Sequence, residues 1–205
     1  MTDAAGSKWL VDINSDSPLE LVLRGHLWIE SRLIGVLGVV APHPERIDFS
    51  RFTYPQKVAL AAAHDFLEEE DVPAYLKLNS MRNKVAHRLD AALSEQDETD
   101  LINCLSPILR RSSMVDDARV AGRPWPYALR HVMAAMIIRL EERHKAYLKT
   151  QEDNRRLVEQ MRKVTKELRT EREQRGAQAA SLRQADAGEP LGPSLGRQET
   201  AKGDQ

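Results

Sequence analysis

Apolar residues along this chain recur at three- and four-residue steps, and no long alternation of β-branched residues interrupts them, so the pattern predicts helices throughout. The first opens at Ser17-Pro18-Leu19-Glu20, where an N-cap serine, a proline at the first helical position and a glutamate placed for a capping box coincide. It should run to about Val40, burying Leu19, Val22, Leu23, Leu33, Ile34 and Leu37, with His26 and Glu30 inside the same arc. Ala41 to Arg51, with Pro42 and Pro44, reads as a loop. Thr53-Tyr54-Pro55-Gln56 repeats the capping logic and starts a second helix to about Glu69, whose apolar face carries Val58, Ala61, Ala62 and Phe66, with Asp65 among them. A third spans about Pro73 to Leu89 on a stripe of Leu78, Met81 and Val85. A fourth begins near Ser94, buries Leu101, Cys104, Leu105, Ile108 and Leu109, and should kink at Pro107, which removes a ladder donor. Four helices, each with one apolar stripe and short connections, predict an all-α antiparallel bundle over residues 17–112.

The pattern changes beyond it. Residues 113–126 read as a linker ending in Arg123-Pro124-Trp125-Pro126, and 127–175 contain neither proline nor glycine, enough for a helix of about 70 Å. Leu129, Val132, Met133, Met136, Ile137 and Leu140 are dense enough to pack on the bundle or on a partner. The apolar signal then thins to one seam, Tyr147, Asn154, Leu157, Met161, Val164 and Leu168, at heptad steps from Asn154 onward. Such a seam predicts a short coiled coil, and an asparagine at an a position is a device that fixes register. Residues 1–16 and 176–205, polar and poor in large apolar side chains, are expected to be disordered.

Net charge is −1 overall, but residues 1–112 carry 12 Lys and Arg against 17 Asp and Glu, while 139–175 carry 12 against 8. The basic footprint usual in non-specific duplex binders is therefore missing from the N-terminal part. Basic residues of the long helix, such as Arg155, Arg156, Arg162, Lys163 and Lys166, alternate with acids and read as a solvated face. The single cysteine, Cys104, cannot form an intramolecular disulfide. No apolar run is long enough for a signal peptide or a membrane span, so the expectation is a cytoplasmic protein away from membranes. Phosphate-loop, dinucleotide, GxSxG and zinc spacings are absent, and the acidic run Glu68 to Asp71 reads as a solvated helix end. Neither cofactor nor metal is expected. His43, His64, His131 and His144 are scattered without neighbours that imply ligation.

One stretch, PAYLKLNSMRNKVAHR from Pro73 to Arg88, departs from packing logic. At about 100° per residue Arg82 falls inside the apolar arc, whereas His87 falls on the opposite side beside Asn83, with Lys77, Lys84 and Arg88 near it. A guanidinium on an apolar face costs several kcal/mol unless paired, so Arg82 needs a partner or a ligand. Glu30 and Asp65 are the candidate carboxylates. Residues five apart diverge by about 140° on a straight helix, so Arg82 and His87 can share one substrate only if the helix ends near His87 or a second copy completes the site.

Arg82, four residues, then His87, with the polar Asn83 following the arginine, resembles the Arg-x(4–6)-His motif of HEPN domains. Many members of that family place a glycine after the histidine, where this chain has Arg88. The resemblance implies a helical bundle that dimerises and an endoribonuclease that cuts RNA without metal, as a toxin or defence component with a neutralising protein partner. In that chemistry His87 would act as general base on a ribose 2′-hydroxyl, Arg82 would stabilise charge on the scissile phosphate, and Asn83 would orient the ring or the substrate. Lys77, Lys84 and Arg88 would steer the RNA backbone. The other expectation is a HEPN-like interaction or regulatory module without catalysis, in which Arg82 ties helices together. A third is a coiled-coil scaffold with the bundle as its head.

Overall fold

A capped, amphipathic stretch must bury its apolar stripe against another, and in the computed structural model the stretches do so without a strand among the described residues, which are 3–86 and 92–186, with side chains over 8–86 and 92–180. Among the described residues eight α-helices follow in order: α1 (Asp3–Asp12), α2 (Pro18–Val40), α3 (Tyr54–Ala63), α4 (Val72–Ala86), α5 (Glu95–Asn103), α6 (Pro107–Ser113), α7 (Ala118–Ala121) and α8 (Tyr127–Asp186). One compact unit ends at Gln151 and another begins at Glu152.

The predicted starts are where the chemistry put them. Ser17 caps α2 through the Glu20 amide with Pro18 in the first turn, and Thr53 and Gln56 close the capping box of α3. Ser94 and Asp97 do the same for α5. The core of the first unit joins Leu21, Val22, Ile29 and Leu33 of α2, Val58 and Ala61 of α3, Tyr75, Leu78 and Met81 of α4, Leu101 of α5 and Leu109 of α6. Leu129, Val132, Met133, Met136, Ile137 and Leu140 of α8 complete it. These six residues of α8 therefore belong to the bundle, so the bundle does not stop at residue 112.

Several expectations give way. The N-terminus is not featureless, because α1 forms and Trp9 and Ile13 enter the core. Leu19 is exposed while Leu21 and Ile29 are buried, and His26 faces inward from the arc in which its position put it. Helix α3 stops at Ala63 rather than Glu69, since Asp65 takes a left-handed φ of 60° and turns the chain so that Phe66 and Leu67 reach the core. Pro107 does not kink a helix. It begins one, with Ser106 as N-cap accepting from the Leu109 amide, because proline suits a first turn whose amide has no partner to lose. Cys104 is left half-buried at the C-cap of α5, and Ile108 is exposed. The stretch 113–126 contains α7 and packs Val115 and Val120 into the core, so it is not a bare linker. Helix α8 continues past Arg175 to Asp186; the rest of the expected tail, 187–205, lies outside the described residues. No helix among the described residues is long and apolar enough to cross a membrane.

The acidic run is also not uniformly solvated. Asp71 is fully buried, accepting from Ser106 Oγ and, at 2.8 Å, from Arg139 Nε, and it thereby stitches the start of α4 to α6 and α8. A carboxylate at 0% exposure persists only with such partners.

Candidate functional site

Helices α2, α3 and α4 meet around a polar cluster within their apolar contact. His26 and Glu30 come from α2, Tyr54 and Lys57 from α3, and Asn79, Arg82 and Asn83 from α4. Lys57 Nζ donates to Glu30 Oε1 at 2.5 Å, with only 4% of the lysine side chain exposed. His26 Nε2 lies 3.1 Å from Asn79 Oδ1, its Nδ1 lies 4.0 Å from Glu30 Oε2, and its ring stacks at 4.2 Å on Tyr54. The Tyr54 hydroxyl is buried with no hydrogen-bond partner among the described residues.

Burial holds the His26 imidazole below its ordinary pKa; Asn79 and Glu30 pull it up, and Arg82 and Lys57 push it further down. The Tyr54 phenol is driven well above its ordinary value by burial, with Tyr75 and Glu30 adding to the shift. A neutral His26 therefore sits between a balanced Lys57–Glu30 pair and an arginine.

Glu30 was expected to pair with Arg82, and it pairs with Lys57 instead. Lysine 57 competes better because it reaches Glu30 from within the α2–α3 contact, whereas Arg82 Nη1 donates to Asn83 Oδ1 of its own helix at 3.2 Å. Among the described residues Arg82 has no carboxylate within ion-pair distance, and Asp65, exposed at its left-handed turn, does not meet it. Arg82 is half-buried, in keeping with its place on the apolar arc.

The lysines expected to steer RNA are also engaged. Lys77 Nζ binds Asp100 Oδ2 at 2.8 Å and Lys84 Nζ binds Asp97 Oδ2 at 2.8 Å, both across to α5. The Lys77 bond holds Asp100 below the usual carboxylate range. Burial pushes Asp97 up, but Lys84 and the Ser94 amide and hydroxyl together leave it below its ordinary value. His87 and Arg88 lie outside the described residues.

Sequence reasoning placed His26 and Glu30 in the apolar arc of α2 and Arg82 in that of α4, but passed over Lys57 and Asn79. For Lys57 a signal existed, since it stands four residues before the buried Ala61 and three after the buried Tyr54. For Asn79 there was none, because its role depends on where the His26 ring arrives from another helix.

Chemically the cluster can hold an excess positive charge at Arg82 and keep His26 neutral. With 4% exposure, His26 itself cannot reach a substrate proton. Among the described residues no three His, Cys, Asp or Glu side chains gather as a metal site. Elsewhere, a hollow of about 310 Å³ between α1 and α8 is lined by Ile13, Tyr127, Arg130 and His131, with Arg130 drawn to Asn14 and Asp16. Against family models, curated proteins and solved structures, the chain finds no match.

Proposed function

We propose that the chain is a non-catalytic helical interaction module, of the HEPN kind that its Arg82-x4-His87 motif resembles, and that it works as a dimer. The observation that carries this reading is the fate of the α4 cations. A ribonuclease needs basic side chains free to meet phosphate, because charge neutralisation supplies most of the affinity for a nucleic acid backbone. Lys77 and Lys84 are instead neutralised by Asp100 and Asp97, and they join α4 to α5. Their first role is to hold the bundle together.

A second reading, metal-independent RNA cleavage by His87 and Arg82, is favoured by one feature: Arg82 has no carboxylate partner among the described residues and keeps its charge for a ligand. One experiment separates the two. Purified chain is incubated with single-stranded RNA in EDTA, beside His87→Ala and Arg82→Ala. The interaction reading expects intact RNA in all three. Cleavage by the unaltered chain that both substitutions abolish, with the thermal midpoint retained, would overturn it in favour of the nuclease.

A further inference from the structure

We infer that the dimer forms through the part of α8 that begins at Asn154, as a parallel, in-register, two-stranded coiled coil with a second copy of this chain. This rests on the reading of the chain as an interaction module that dimerises, and it supplies the surface and the orientation.

Four observations carry it. In the unit that begins at Glu152, Leu157, Met161, Val164 and Leu168 are 53 to 62% exposed, although they fall on one seam of the helix at alternating four- and three-residue steps. Setting Asn154 as position a makes Leu157 and Val164 d positions, and Met161 and Leu168 a positions. Tyr147, which the sequence pattern would add, is instead spent in the first unit, its ring 5.2 Å from Phe66.

The second observation is how charges are used. Glu152–Arg156, Glu159–Lys163 and Arg169–Glu173 pair within the helix at 3.0, 3.3 and 3.0 Å, and all six residues fall at b, c or f, away from the seam. Glu167 at g and Arg172 at e flank the seam and have no ion-pair partner among the described residues. In a parallel pair of identical helices, g of one strand faces the following e of the other, so Glu167 meets Arg172 of the second copy twice, once on each side.

Third, Asn154 heads the seam. Its amide carries both donors and an acceptor and can satisfy its own copy across the axis, whereas a wholly apolar groove on another protein would strand it. An antiparallel alignment of the same five layers would carry the two asparagines to opposite ends and separate Glu167 from Arg172.

Fourth, the apolar stripe is narrow. Apart from Val158 at e, the exposed large apolar residues from Asn154 onward keep to a and d, two positions in seven, which suits a coiled-coil seam, while a helix lying on a membrane presents a broader apolar face without acids interleaved. Glu159, Glu167, Glu171 and Glu173 are interleaved here.

The test uses the full chain in sedimentation equilibrium. A dimer is expected, and Met161→Glu with Leu168→Glu should raise its dissociation constant about a hundredfold, since each places a charge in an apolar layer. Glu167→Arg and Arg172→Glu should each weaken it about threefold or more, and the double swap should restore it to within about twofold. Asn154→Cys in a Cys104→Ser background should give a covalent dimer on mild oxidation, and so should Leu168→Cys, because parallel register brings each to its own copy. A dimer indifferent to the seam substitutions overturns the seam and leaves the interaction reading standing. Disulfides forming only between Asn154→Cys and Leu168→Cys chains overturn the orientation. A monomer at every concentration, or one that gains affinity for anionic vesicles through the seam, overturns the inference together with the dimer. Loss of RNA cleavage in His87→Ala would strike only the functional reading and leave the seam as it is.

Discussion

Acidity reaches this fold first through His26. Its folded pKa lies below the ordinary value, so the unfolded chain binds the extra proton more readily, and stability is complete above about pH 6.5 and falls as pH drops toward the folded pKa. The groups facing it are Glu30, Lys57, Asn79, Arg82 and the Tyr54 ring. His144, also lowered by burial and by Arg32, adds a slope of the same sign. Urea denaturation at pH 7.5 and 5.5 should show the loss, and His26→Gln should remove most of it. Around the same ring, Lys57→Met should cost about 3 kcal/mol because it strands Glu30, whereas Arg82→Ala should cost no more than about 1.5 kcal/mol because it strands no carboxylate among the described residues. Both are read as midpoint shifts at unchanged m-value. That Arg82 lies on the apolar arc was legible from helical periodicity alone. Its partner was not, since two cations competed for Glu30 and the choice depended on which side chain the α2–α3 contact brought within reach.

Element boundaries followed from caps wherever a cap was local. Ser17 and Thr53 accept from amides three residues on, and Asp97 accepts from the Ser94 amide three residues back, so sequence sufficed. Pro107 was ambiguous for the opposite reason: the same residue kinks a helix or starts one, and Ser106, tied to the buried Asp71, decides for a start. The close approach of α2 and α8 was likewise invisible, because Gly25 reads as a weak helix former until its neighbour is known. A Cβ added there would lie 2.2 Å from Met133 Sδ, in the core. Gly25→Ala should therefore destabilise the bundle by about 1 to 3 kcal/mol despite the better helix propensity of alanine. In a Met133→Ala background the same change should cost less, a coupling that denaturant unfolding of the four proteins in a double-mutant cycle measures.

At the scale of the whole molecule the distribution of apolar burial sets what each part needs. Among the described residues every buried core residue lies between Trp9 and Leu140, with Tyr147 packed against that core, while residues 152–180 are exposed without exception. Asp71, the most deeply buried charge, draws its partners from Ser106 and Arg139, and Glu68 draws Arg139 and Arg143, all before Gln151. These core contacts and ion pairs lie within the first unit, so its stability should be a local property. A chain ending at Gln151 should accordingly unfold in one cooperative step with a thermal midpoint within about 2 °C of the full chain at low protein concentration. Calorimetry checks it directly. A midpoint that falls well below that of the full chain would mean that residues after 151 stabilise the bundle, and the assignment of the core to residues 9–140 would then be incomplete.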